Sequence, residues 1–236
     1  MKKQLVIFLL LGVVVSPSSV KAQKLKVGLD VGLSKSILSS DVSNLVNTRY
    51  DTKSGIATNV NLEYNFFGDF MVATGLGFIQ KNYEYKKTDG ITGTYTLYNN
   101  NFIAIPLNVG WYIFNNPYKK RGVWVKVQGG VYYEYLTRVH RKGEYPIFAQ
   151  LQEDGSYVKT QISETYDFKK NENNLNRNLF GIEGAVDVGY SFERIDVFAS
   201  YTYQYGLTSI YKAKTSSHRK SRRSSSIISL GVAYKF

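Results

Sequence analysis

The 236-residue chain contains no cysteine, which excludes a disulfide framework, thiol catalysis and thiolate metal sites. Its two histidines, His140 and His218, lack ligand-spaced partners, so the chain offers no metal motif. Four prolines and two methionines, against 20 tyrosines and 13 phenylalanines, favour strands over helices. Acids are scarce beside bases, 18 against 30, for a formal charge of +12. Past residue 15 no apolar run approaches the about 20 residues of a spanning helix. A membrane crossing would then need a closed barrel, the other structure that satisfies every backbone group in lipid.

What is present starts with Met1-Lys-Lys, an apolar run from Leu5 to Val15, and Ser16-Pro-Ser-Ser-Val-Lys-Ala22. That layout predicts a secretory signal peptide over 1–22, cut between Ala22 and Gln23, with one domain over 23–236. Losing Lys2, Lys3 and Lys21 lowers the charge by three, to +9. An exported chain rarely meets nucleic acid, so none is expected as a partner. Membrane lipid and lipopolysaccharide phosphate are the expected counter-charge.

Eight segments alternate with a period of two. The closing one sets Ile228, Leu230, Val232, Tyr234 and Phe236 opposite Ser229, Gly231, Ala233 and Lys235. In a strand those sets lie on opposite faces, one of them apolar and aromatic. The same pattern begins at Leu25, Ile56, Phe70, Ile103, Val123, Phe180 and Val197. Short connections (67–69, 115–121, 193–194) alternate with long ones (34–54, 80–101, 137–178, 208–225). The expectation is an all-β, antiparallel up-and-down barrel in the outer membrane, with the long connections extracellular. Eight strands are preferred. Ten follow if the hairpin read around Asp154-Gly155, within 147–162, also spans the membrane.

Three pieces carry a family resemblance. Asn101-Phe-Ile-Ala-Ile-Pro-Leu-Asn-Val-Gly-Trp111, Tyr203-Gln-Tyr-Gly-Leu-Thr-Ser-Ile210 and the closing strand occur in the order found in the PorT-like outer-membrane barrel family. The chain resembles that family along its whole exported length, although Ser209 stands where Asn is usual. Most members lack an assigned activity; the name-giving one takes part in protein secretion. The last strand, with Tyr234 and Phe236, also resembles the signal read by barrel-assembly machinery. The resemblance implies that machinery, and secretion or envelope proteins, as partners.

An eight-stranded barrel is narrow enough to be filled by its own side chains. The inward positions Lys26, Asp30, Glu63, Lys126, Glu134, Glu183 and Asp187 are therefore expected to form an ion-pair network, with an ion path as the alternative. The last loop holds Lys212, Lys214, Arg219, Lys220, Arg222 and Arg223 without an acid, a candidate contact for lipopolysaccharide phosphates. His140 lies just past strand five, near Glu134 and Glu144, where a lipid- or peptide-cleaving site would sit. No motif accompanies it, so no catalytic residue, cofactor or metal is assigned. The leading expectation is a non-enzymatic barrel acting through its extracellular loops, in envelope integrity or in a transport or secretion assembly. A narrow channel and an enzyme at the barrel lip are the alternatives.

Overall fold

The computed structural model describes residues 24–40, 48–87, 95–145, 153–155, 160–170, 174–212 and 221–236. The expected signal peptide lies outside them. The strands, in chain order, are β1 (Leu25–Ser40), β2 (Thr48–Phe67), β3 (Phe70–Gln80), β4 (Tyr83–Lys87), β5 (Tyr95–Phe114), β6 (Gly122–Tyr145), β7 (Thr160–Thr165), β8 (Asn178–Ser191), β9 (Ile195–Gly206) and β10 (Ser221–Lys235).

Eight of them close a ring of antiparallel neighbours, β1-β2-β3-β5-β6-β8-β9-β10. The seam pairs β10 with β1 from Lys26↔Lys235 to Ser40↔Ser221. Closure leaves no ladder edge facing lipid, which is what a sheet in hydrocarbon requires. The remaining two strands lie beyond the ring's apolar belt. β4 continues the column of β3 after a break at Lys81-Asn82 and pairs with both β2 and β5. β7 pairs only with β6, from His140↔Thr165 to Tyr145↔Thr160. β6 pairs directly with β8 from Gly122↔Ser191 to Tyr135↔Asn178, so no further strand enters the ring between them, as the ten-strand alternative would need; 147–152 and 156–159 of the expected hairpin lie outside the described residues.

The alternation puts its apolar residues outward. Leu29, Leu33, Leu107, Val109, Leu230 and Val232 are all more than half exposed, as lipid-facing side chains must be in an isolated barrel. Aromatic rings mark both rims of this belt. At the short-turn end Phe70 stacks on Trp111 at 6.1 Å and Tyr234 meets Phe236 edge-on at 5.1 Å. At the other end Tyr133 packs on Phe180 at 5.2 Å. Phe180 and Tyr190 stand ten steps apart on β8, which at about 3.3 Å each and a tilt of about 40° spans about 25 Å, the height of an outer-membrane belt.

Pro106 cannot donate to a ladder, so a bulge or break is expected beside it. β5 stays in register with β6 there, pairing Pro106 with Tyr132. On the other side the β3 pairing stops at Thr74↔Leu107 and resumes at Gly77↔Ala104. The break is therefore one-sided, on the flank to which the proline nitrogen offers nothing. Thr74 Oγ1 donates to the Pro106 carbonyl at 2.8 Å and holds the two strands together.

Among the described residues the segments read as loops are largely strand. β1 continues to Ser40, β2 starts at Thr48 and β10 at Ser221, while β6 runs on to Tyr145. Above the belt the outward face turns polar, as at Lys35, Arg49 and Lys142, so hydrophobic alternation ends while backbone pairing continues. A bulge at Thr137 marks the change, since Asn101 pairs with Arg138 and Phe102 with Leu136. The extra residue shifts the phase of β6, turning Val139 inward and Arg138 and Lys142 out to solvent. On the facing wall Arg49 hydrogen-bonds Asp51 and holds its carboxyl below the usual carboxylate range. Glu84 raises the Lys53 ammonium by pairing with it at 2.7 Å.

At the short-turn end Gly68, at φ 57°, makes the β2–β3 turn. Asp69 beside it accepts from Lys119 at 2.7 Å and from Asn116 at 3.1 Å, which lowers its carboxyl and ties this turn to the β5–β6 turn.

Candidate functional site

The inward half of the alternation fills the lumen in three layers. The floor, near the short turns, is a chain of alternating charge: Asp187, Lys126, Glu63, Lys26, Asp196, Lys235. Lys126 Nζ lies 2.9 Å from Asp187 and 2.7 Å from Glu63. Lys26 Nζ lies 3.1 Å from Glu63 and 3.4 Å from Asp196, which in turn meets Lys235 at 3.0 Å. Six strands each contribute one member. From β5, Tyr112 donates to Glu63 and accepts from Lys26 at 2.7 Å. Trp124 packs against the chain, its ring centroid 4.9 Å from Lys26 Nζ, and also on Met71 and Tyr112. Charges this deeply buried persist only when paired and hydrogen-bonded.

The roof, near the long connections, is apolar. Leu38, Tyr83, Phe102, Leu136, Val139, Leu179 and Ile210 pack together inside the mouth. Tyr166, Phe168 and Leu175 press on them from segments that had been read as open loop. Asn176 N donates to the Ile210 carbonyl at 2.8 Å, joining the two lids of this cover. Under the roof Lys81 pairs with Glu134 at 2.6 Å. Arg223 lies over the ring of Phe102 at 4.9 Å.

Between floor and roof remains a polar chamber of about 90 Å³, room for several waters. Asp30 accepts there from Asn59 at 2.8 Å and Asn61 at 2.6 Å. Glu183 accepts from Asn108 and Gln204, both at 2.7 Å.

Five of the seven expected network members form ion pairs: Lys26, Glu63, Lys126 and Asp187 in the floor, Glu134 below the roof. Asp30 and Glu183 do not. They stand at the level of the chamber, where their cross-strand neighbours are glycines and amides (Gly231 and Asn59, Gly130 and Gln204), and no cation among the described residues is within ion-pair distance. Asp196, Lys235 and Lys81 complete the pairs and were not singled out. Asp196 and Lys235 occupy inward phases of their strands and could have been found by extending the same alternation. Lys81 sits in the break between β3 and β4, where alternation assigns no face.

Of the basic candidates in the last loop, Arg222 points outward and reaches Tyr205 Oη at 3.4 Å. Arg223, its neighbour on the strand, points inward and is only 4% exposed, so it faces the lumen instead of a lipid phosphate. Lys212 is half-buried. Lys214, His218, Arg219 and Lys220 lie outside the described residues. Tyr234 and Phe236 face outward at the belt's rim, and Arg194 reaches Tyr234 Oη at 3.3 Å. His140 is part of β6, its imidazole 3.3 Å from Thr165 Oγ1 and 3.5 Å from Ser163 Oγ. Among the described residues no three of His, Asp and Glu converge as a metal site.

A closed eight-strand ring with a lipid-compatible outer face is the architecture of a small outer-membrane barrel. The family model described as outer membrane protein beta-barrel domain matches residues 21–212. The chain belongs to that family. OprG from Pseudomonas aeruginosa is similar in structure, with TM-score 0.51 and 11% identity over 89% of this chain and 95% of that one. Neisserial surface protein A gives TM-score 0.47 and 15% identity over 90% and 97%. Ail of Yersinia pestis, in complex with the heparin analogue sucrose octasulfate, gives 0.40 and 12% over 89% and 99%. None of the curated proteins matches the sequence. As a member of its family this barrel resides in the cell outer membrane.

Proposed function

We propose that this barrel neither conducts nor catalyses, and that it acts through the β-structure standing beyond the outer leaflet. There it would bind lipopolysaccharide phosphates and present a strand edge to a protein of the envelope or of a secretion assembly. The observation that carries this reading is the overhang of β5, β6 and β7. β6 is 24 residues long, about twice what the bilayer requires, and its upper part exposes Arg138 and Lys142. β7 leaves one edge without a strand among the described residues, the feature to which an extended partner segment adds. A lumen crossed by a paired charged floor and covered by an apolar cluster supports the absence of a diffusion path. His140 contacts hydroxyls and no carboxylate among the described residues, which supports a non-catalytic role for it. The PorT-like resemblance favours a secretion assembly over a free-standing barrel.

Replacing Arg138, Lys142 and Arg222 together by Gln should raise sensitivity to large hydrophobic antibiotics several-fold at unchanged protein level. All three face outward beyond the apolar belt, so their loss should weaken bridging between lipopolysaccharide molecules. Unchanged sensitivity would remove the lipopolysaccharide half of the proposal. Cross-linking from Thr160–Thr165 in native outer membrane tests the other half, and capture of a reproducible envelope or secretion protein is the expected result.

A further inference from the structure

The chamber in mid-barrel carries a charge and a hydrogen-bond polarity that the floor and roof do not account for. Among the described residues five buried cations line the lumen, Lys26, Lys81, Lys126, Lys235 and Arg223. Six carboxylates stand against them: the partners named above, with Asp30 and Glu183 held only by neutral amides. One negative charge is left over.

The amides point the same way. Asn108 and Gln204 each spend an N–H on Glu183, and Gln128 spends one on Asp187 at 3.4 Å. A planar amide whose nitrogen is fixed on a carboxylate turns its carbonyl oxygen elsewhere. Asn108, Gln204 and Gln128 all line the chamber, and Asn108 Oδ1, Gln204 Oε1 and Gln128 Oε1 are each buried without a hydrogen-bond partner among the described residues. Asn108 is 5% exposed and Gln204 3%. Against these three acceptors the chamber wall has one orphan donor, Trp124 Nε1. Water alone would satisfy the oxygens but would leave the extra charge. A divalent ion would overshoot it, and it would need the carboxylate cluster that the described residues do not form.

We propose that the chamber binds one partly hydrated alkali cation, with Glu183, Asp30 and the amide oxygens of Asn108 and Gln204 as its ligands, directly or through water. Hard oxygen donors of modest total charge suit such an ion. The site stands independently of the role given to the overhang, since no residue is shared between them. Bound there, the ion would tie β1, β5, β8 and β9 together across the space that side chains leave unfilled.

The test is the apparent melting temperature of the folded barrel in detergent, in sodium or potassium chloride against N-methylglucamine chloride at equal ionic strength. Alkali ions should raise it saturably, by roughly 5 °C, as expected for a ligand that binds only the folded state. Glu183→Gln keeps the side-chain volume and removes the charge, and it should abolish the difference between salts. If Glu183→Gln does not fold, crystals of the unaltered protein soaked in rubidium chloride decide, with an anomalous peak expected beside Asn108 and Gln204. Equal melting in both salts, a salt difference that survives in Glu183→Gln, or rubidium only outside the chamber would each overturn the proposal.

Discussion

Converting Glu63 to Gln lowers the stability of the folded barrel by about 3–5 kcal/mol, although the two side chains have nearly the same volume. Glu63 is the hub of the floor. It lies 3.1 Å from Lys26 and 2.7 Å from Lys126, and it accepts from Tyr112 and from Tyr118, the latter at 3.1 Å. With the carboxylate gone, two ammonium groups buried to 5–6% exposure face a neutral amide. Each keeps one acid, Asp187 or Asp196, so the loss should lie toward the lower end of that range. Urea unfolding in lipid vesicles, followed by tryptophan fluorescence, measures it. Glu193→Gln is the control, because its pair with Arg121 is exposed on both sides and such pairs contribute at most about 1 kcal/mol. Equal costs for the two substitutions would mean that the floor is not a load on folding.

Trp124→Ala should cost a similar about 3–5 kcal/mol, by cavity formation instead of charge. The ring is 1% exposed, meets Tyr112 edge-on at 5.7 Å and lies 6.2 Å from Phe198. It fits because its cross-strand neighbour is Gly189; a Cβ there would fall against the indole. That complementarity makes a sharper forecast. Gly189→Leu alone should be destabilising through overpacking, by about 1–3 kcal/mol or more. In the double variant the leucine can occupy space left by the indole, so the two losses should add to clearly less than their sum. Strict additivity would show that the ring and the glycine do not share one space. Trp111, on the lipid-facing side, remains as the fluorescent reporter.

The strands and their facing were legible because lipid outside and a packed lumen inside impose opposite chemistry on alternate residues. From Leu25 to Leu33, or from Ile228 to Phe236, each outward residue is apolar and each inward one small or polar, so the period alone fixes which side chains meet. That reasoning brought Lys26, Glu63, Lys126 and Asp187 to one place. It could not rank the inward residues by height, and height decides that Asp30 and Glu183 face amides while Glu63 faces lysines. It also weakened wherever the lipid constraint ended. Above the belt β1, β2 and β6 continue with polar residues such as Lys35, Arg49 and Arg138 on their outward face, so segments such as Arg138–Tyr145 read as loops. Arg222 and Arg223 show the consequence most plainly. Adjacent in sequence, they seem one basic patch until the strand is known to begin at Ser221, which sends one outward and one into the barrel. The roof was not legible at all. Phe168, Leu175 and Ile210 belong to no alternating run, and only the folded chain brings them over the mouth.

The central claim is that the lumen is sealed twice, by a charged floor and an apolar roof, leaving the overhang as the working surface. Single-channel recording in planar lipid bilayers tests it most directly. The account predicts no steady conductance from the folded, purified barrel in molar potassium chloride, whichever side is addressed. A stable, ohmic conductance step reproduced in every insertion would contradict it, and would make the lumen a channel.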